Sequence, residues 1–87
     1  MRISEVILDM EDEEAMYFDI FFEDYTVVLL VNVYLTGNVE ICDDDRAPIC
    51  QYWQGAIRTD NAEQVEAWLA DQDWSNYHKH VIELTSD

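Results

Sequence analysis

Residues 26–36 read Thr-Val-Val-Leu-Leu-Val-Asn-Val-Tyr-Leu-Thr. A run this rich in β-branched and aromatic side chains is a strand. Alternation along it puts Val27, Leu29, Val31, Val33 and Leu35 on one face and Val28, Leu30 and Tyr34 on the other. A strand that is apolar on both faces belongs in the middle of a sheet and needs cover on both sides. It is about half the length of a membrane span and carries Asn32.

The flanking sequence supplies neighbours for it. Tyr17 to Glu23 alternates, with Phe18, Ile20 and Phe22 on one face and Tyr17, Asp19, Phe21 and Glu23 on the other. Glu23-Asp24-Tyr25 reads as a turn, and Gly37-Asn38 as a hairpin signal. Val39 to Cys42 returns as a strand and ends in Asp43-Asp44-Asp45. Ile3 to Met10 alternates loosely and predicts one more strand; a short helix from near Asp9 is the alternative, because acidic first turns favour helix N-termini. Arg46 to Thr59, with Pro48 and Gly55, reads as irregular. Asp60 and Glu63 have the spacing of a capping box. Ala62, Val65, Trp68 and Leu69 then recur at helical spacing, so 61–70 is an amphipathic helix. Trp74 to His80 reads as a loop or irregular turn, and Val81 to Leu84 as a last edge strand.

The expected fold is α+β: an antiparallel sheet of three to five strands with one amphipathic helix packed on one face, in a single acidic domain spanning residues 1–87. One helix covers one face. Loop aromatics (Tyr52, Trp53, Trp74, Tyr77) or a second subunit must cover the other, so monomer and homodimer both stay open.

Charge points to function. Twenty residues are Asp or Glu and four are Lys or Arg, a net charge of -16. Disorder is not implied, because 49% of residues are apolar and 13% aromatic. Solubility needs a net charge of magnitude ~2–8 in a small domain. A surface this acidic attracts basic partners and repels nucleic acid and anionic membranes. Duplex DNA carries a charge per ~1.7 Å of axis, so a domain ~25–30 Å across would match ~15–18 phosphates. Carboxylates standing where phosphates would sit accept charge-assisted bonds from Lys and Arg. The candidate partner-binding acids are Glu11, Asp12, Glu13, Glu14, Asp19, Glu23, Asp24, Asp43, Asp44 and Asp45. For a single cluster, a solvated turn is the competing explanation. Charge alone binds without selectivity, so apolar anchors are needed, and Tyr52, Trp53 and Trp74 are the leading candidates, with Tyr17, Tyr25 and Tyr77 beside them.

Other chemistry has little to stand on. Cys42, Cys50, His78 and His80 form a Cys2His2 set by type, but their spacing is not that of a zinc finger, and Cys42 reads as a buried thiol. Two cysteines make no disulfide framework, and the opening residues lack an apolar stretch of signal-peptide length; the cytoplasm is the expected compartment. There is no phosphate-binding loop and no nucleophile elbow. No enzyme activity, cofactor or metal is expected.

In size, in an Asp/Glu excess spread over the whole chain, and in its sheet-plus-helix pattern, the sequence resembles the small acidic inhibitors of phages and mobile elements. These include anti-CRISPR and anti-restriction proteins that imitate nucleic acid. The resemblance is to the class and rests on no motif. It implies action in the cytoplasm of a bacterial host against a basic nucleic-acid-binding protein: a CRISPR effector, a restriction enzyme or a nuclease. Two alternatives share the electrostatics: an immunity or antitoxin protein that caps a nuclease toxin, and an acidic adaptor domain kept soluble in a salt-rich cell.

Overall fold

The computed structural model describes residues 2–53 and 58–84, Trp53 by its backbone alone. The alternating segments become a meander in which each strand is antiparallel to the next: β1 (Ile3–Glu11), β2 (Ala15–Phe22), β3 (Val27–Tyr34), β4 (Val39–Cys42) and β5 (Pro48–Trp53). A two-residue strand, β6 (Ile82–Glu83), pairs with Val27 and Val28 of β3. One α-helix, α1 (Ala62–Ala70), and a 3-10 helix (Ser75–His80) complete the chain, which is α+β with a six-stranded antiparallel sheet. Among the described residues no helix is long and apolar enough to cross a membrane.

Several expectations need correction. The strand read over Ile3 to Met10 is present and its alternative, a helix from near Asp9, is not; β1 runs to Glu11 with irregular pairing at Leu8/Met10. Pro48–Trp53 is an edge strand although it begins with proline. At the first position of an edge strand the missing N–H removes no ladder bond, and the pairing with Cys42 is irregular there. Gly55 lies outside the described residues. The helix cap is Asn61 rather than Asp60: its side chain accepts from the Gln64 N–H at 3.2 Å, while its own N–H donates to Thr59 Oγ1 at 3.1 Å. The C-terminal strand pairs with β3 alone, as an edge strand does, and lies in the lane that β4 leaves at Cys42, whose register partner is Leu30.

Register defines the two faces of the sheet. Leu8, Phe18, Val31, Ile41 and Cys50 form one row across the five strands and point inward. The core gathers Met16, Phe18, Ile20, Phe22, Leu29, Val31, Val33, Val39 and Ile41 from the strands with Val65 and Leu69 of α1. Trp74 closes this cluster. It is fully buried, its ring lies 4.3 Å from Tyr52, and its Nε1–H donates to the Leu69 carbonyl at 3.0 Å. Tyr52 also stands edge-on to Trp68 and Tyr77.

Trp74 and Tyr52 are therefore internal. Trp74→Ala should lower the free energy of unfolding by about 3–5 kcal/mol, the range for truncating a buried large aromatic. Urea unfolding monitored by circular dichroism reads this directly, and a loss under 1 kcal/mol would remove Trp74 from the core.

Candidate functional site

The opposite, outer face is where the chemistry lies. Across the strands, one row is Ile7, Asp19, Leu30 and Cys42. The next row towards the β2–β3 turn is Glu5, Phe21, Val28 and Ile82. The row on the other side is Met10, Tyr17, Asn32 and Glu40. Period-two alternation forces this sorting, because the inward set is apolar throughout.

Arg46 straps this face. It sits in the turn between β4 and β5 with a left-handed backbone, φ 67. Asp43 stabilises that conformation. Its side chain accepts from the N–H groups of Asp45 (2.9 Å) and Ala47 (3.0 Å), and its carbonyl accepts from Arg46 N–H at 3.0 Å. The guanidinium then crosses to β2 and β1. It donates to the carbonyls of Phe18 (3.1 Å) and Val31 (3.5 Å), pairs with Asp19, and reaches Asp9 at 3.5 Å. Its Cζ lies 6.0 Å from the centre of the Tyr17 ring. Burial pushes the Asp19 carboxyl above its ordinary value; the Arg46 charge pulls it back, and the neighbouring Asp9 charge raises it again.

Much of the acid excess organises turns. Asp12 accepts from the N–H groups of Glu14 (2.8 Å) and Ala15 (2.9 Å) and from the Tyr17 hydroxyl at 2.7 Å. These bonds, the tyrosine's first, hold its carboxyl below the usual range. The same hydrogen bond, with some burial, pushes Tyr17 up to about 12. Asp24 accepts from Thr26 N–H at 3.1 Å, and Asp73 from Ser75 N–H at 3.0 Å. Asp12, Asp24 and Asp43 are thus structural as well as charged; Asp12 and Asp24 are exposed, as are Glu11, Glu13, Glu14, Glu23, Asp44 and Asp45.

The sequence-predicted residues do not converge on one spot. Glu11 to Glu14 lie at the β1–β2 turn, at one end of the sheet; Glu23 and Asp24 lie at the β2–β3 turn, at the other. The eight residues of β3 separate these ends by about 25 Å at ~3.3 Å per residue. Asp43 to Asp45 follow Cys42 on the side of Glu23. Asp19 lies between, neutralised by Arg46. Tyr52 and Trp74 face the core, and the Trp53 side chain lies outside the described residues.

Sequence reading missed Arg46, Ile7, Phe21 and Leu30 as members of one surface. Two signals were present: Arg46 is the only Lys or Arg between Arg2 and Arg58, and β3 needs cover on its second face. Neither says where Arg46 lands, because its partners are up to 37 residues away.

The Cys2His2 set does not assemble between the cysteines. Cys42 is buried in the outer row and Cys50 is in the inward one, and burial pushes the Cys42 thiol up to about 11. Among the described residues, Asp43, Asp44 and Asp45 could bring carboxylate oxygens within 4.8 Å of one another, two of them exposed. Comparison with known proteins finds no matching family model, no matching curated protein and no matching solved structure.

Arg46→Met leaves Asp9 and Asp19 facing each other without a cation. It should cost about 1–3 kcal/mol in a urea titration, the range for stranding a buried polar group, and more than Asp19→Asn. The Tyr17 hydroxyl gives a second readout. Its folded value is above the unfolded one, so its contribution to stability is whole below pH 10 and lost as pH rises through about 12. Ultraviolet titration should show Tyr17 ionising late, beside Tyr34 and Tyr52, which burial also raises, and Asp12→Asn should return Tyr17 alone towards 10.

Proposed function

We propose that this protein is an anti-CRISPR-like inhibitor that occupies a positively charged nucleic-acid-binding site on a bacterial defence protein and blocks it by competition. The observation that carries the proposal is the fate of the cations. Residues 1–53 hold thirteen acids and two cations, Arg2 and Arg46. Arg46 is fastened to Asp9 and Asp19, and Arg2 lies 3.9 Å from Glu23. Among the described residues up to 53, the exposed acids of β1 and of the turns are left with no unpaired side-chain cation. In this reading α1 covers the inner face, where Val65 and Leu69 enter the core, and the outer face and its turns meet the partner.

Charge density supports it. The long dimension is 37 Å, which spreads the net charge of -16 at about one per 2.3 Å. Duplex DNA carries one per ~1.7 Å and a single strand one per ~3.4 Å. Its density along this axis falls between the two polymers. A cleft shaped for phosphates meets a comparable field, with no bases to read.

The test is competition. A panel of purified basic nucleic-acid-binding proteins from a bacterial host, CRISPR effectors and restriction enzymes among them, is loaded with labelled duplex. The protein should release duplex from at least one member at stoichiometric ratio, with an affinity that falls as salt rises from about 50 to about 200 mM. Failure to displace duplex from any member, or direct binding of the protein to DNA, defeats the proposal.

A further inference from the structure

We infer that the outer face docks a basic amphipathic helix of the partner, with an apolar side chain seated on Ile7, Phe21 and Leu30. This rests on the function just proposed and assigns its contact surface. Ile7, Phe21, Leu30 and Ile82 come from four strands and lie in two adjacent rows around buried Val28. Ile7 is 41% exposed, and Phe21, Leu30 and Ile82 are half-buried. The described loop aromatics do not cover this patch: Tyr52, Trp74 and Tyr77 pack on the core side.

Charge chooses the occupant. Glu5 shares the row of Phe21, and Glu23 and Asp24 bound that end of the sheet. Asp44 and Asp45 stand on the turn that Arg46 ties down beside Asp19 and Leu30. Arg46 is saturated by two carboxylates and two carbonyls, so it does not reverse the sign of the rim. A second copy would bring the same acids face to face, at -16 each. A segment with apolar residues on one side and Lys or Arg on the flanks meets both the patch and its rim. A helix is the element that layers onto an open sheet face.

Two synthetic probes test this: a helical peptide with leucines on one face and lysines on the others, and an oligolysine of equal charge. The leucine–lysine peptide should bind about tenfold more tightly than oligolysine, as expected for burying one large aliphatic side chain. Ile7→Gln should remove that difference, while Leu35→Gln, equally exposed at 40% but in the β3–β4 turn, should not. In the unmutated protein, amide shifts should concentrate on residues 5–9, 19–21 and 28–30. Equal binding of the two peptides, or shifts confined to the acidic turns, overturns the docking face and leaves the acidic competitor standing. Binding of neither removes both. A dimer in sedimentation that Ile7→Gln dissociates makes a second copy the occupant and overturns the inference.

Discussion

β3 is apolar on both faces, and the rest of the architecture follows from the need to shield it. Its inward side chains Leu29, Val31 and Val33 enter the main core. Among the described residues, its outward side chains have no second layer of secondary structure. There the chain uses a turn and one cation: the β4–β5 connection folds over, and Arg46 fastens it to β1 and β2. A guanidinium is suited to this task. Its planar fork satisfies two main-chain carbonyls and two carboxylates at once, while its flat surface lies over Tyr17. A lysine has one compact charge and could not span the same set.

What was legible in the sequence follows from range. The period of two in residues 17–23 sorted β2 correctly because alternation is a local property. The turns at 23–25 and 37–38 were legible for the same reason; Tyr25 and Gly37 have positive φ there. β5 was hidden because Pro48 and Gly55 are loop signals wherever they occur, and only pairing with β4 makes a strand of the residues after Pro48. Asn61 rather than Asp60 caps the helix because the two differ in backbone position and not in chemistry. Aromatic residues were the least legible. Nothing local distinguishes a tryptophan that closes a core, as Trp74 does, from one that waits for a partner.

The acids divide by the same criterion. An aspartate that leads a turn bonds to N–H groups two to four residues ahead, and Asp12, Asp24, Asp43 and Asp73 all do so. That part of the acidic count is explained by turn chemistry and would be at home in a protein with no basic partner. The glutamates are different. Glu11, Glu13, Glu14 and Glu23 are exposed, and their longer side chains are poor mimics of a backbone turn. The excess that turn formation and Arg46 leave unexplained is therefore mainly glutamate, with Asp44, Asp45, Asp60 and Asp71 among the described aspartates.

An acidic surface alone would be a weak and indiscriminate binder, because water and salt screen each exposed pair. Long-range charge sets how often two molecules meet, and desolvated apolar contact sets how long they stay. The outer face holds both within a few strands: carboxylates at the rim, and Ile7, Phe21 and Leu30 inside it. Arg46 keeps the two regimes separate. By pairing with Asp19 and reaching Asp9 where they adjoin the apolar rows, it offsets one of their two charges and leaves the outer carboxylates charged. In the docking inferred above, the cation fixed to this face is what would let an otherwise acidic surface hold an apolar anchor.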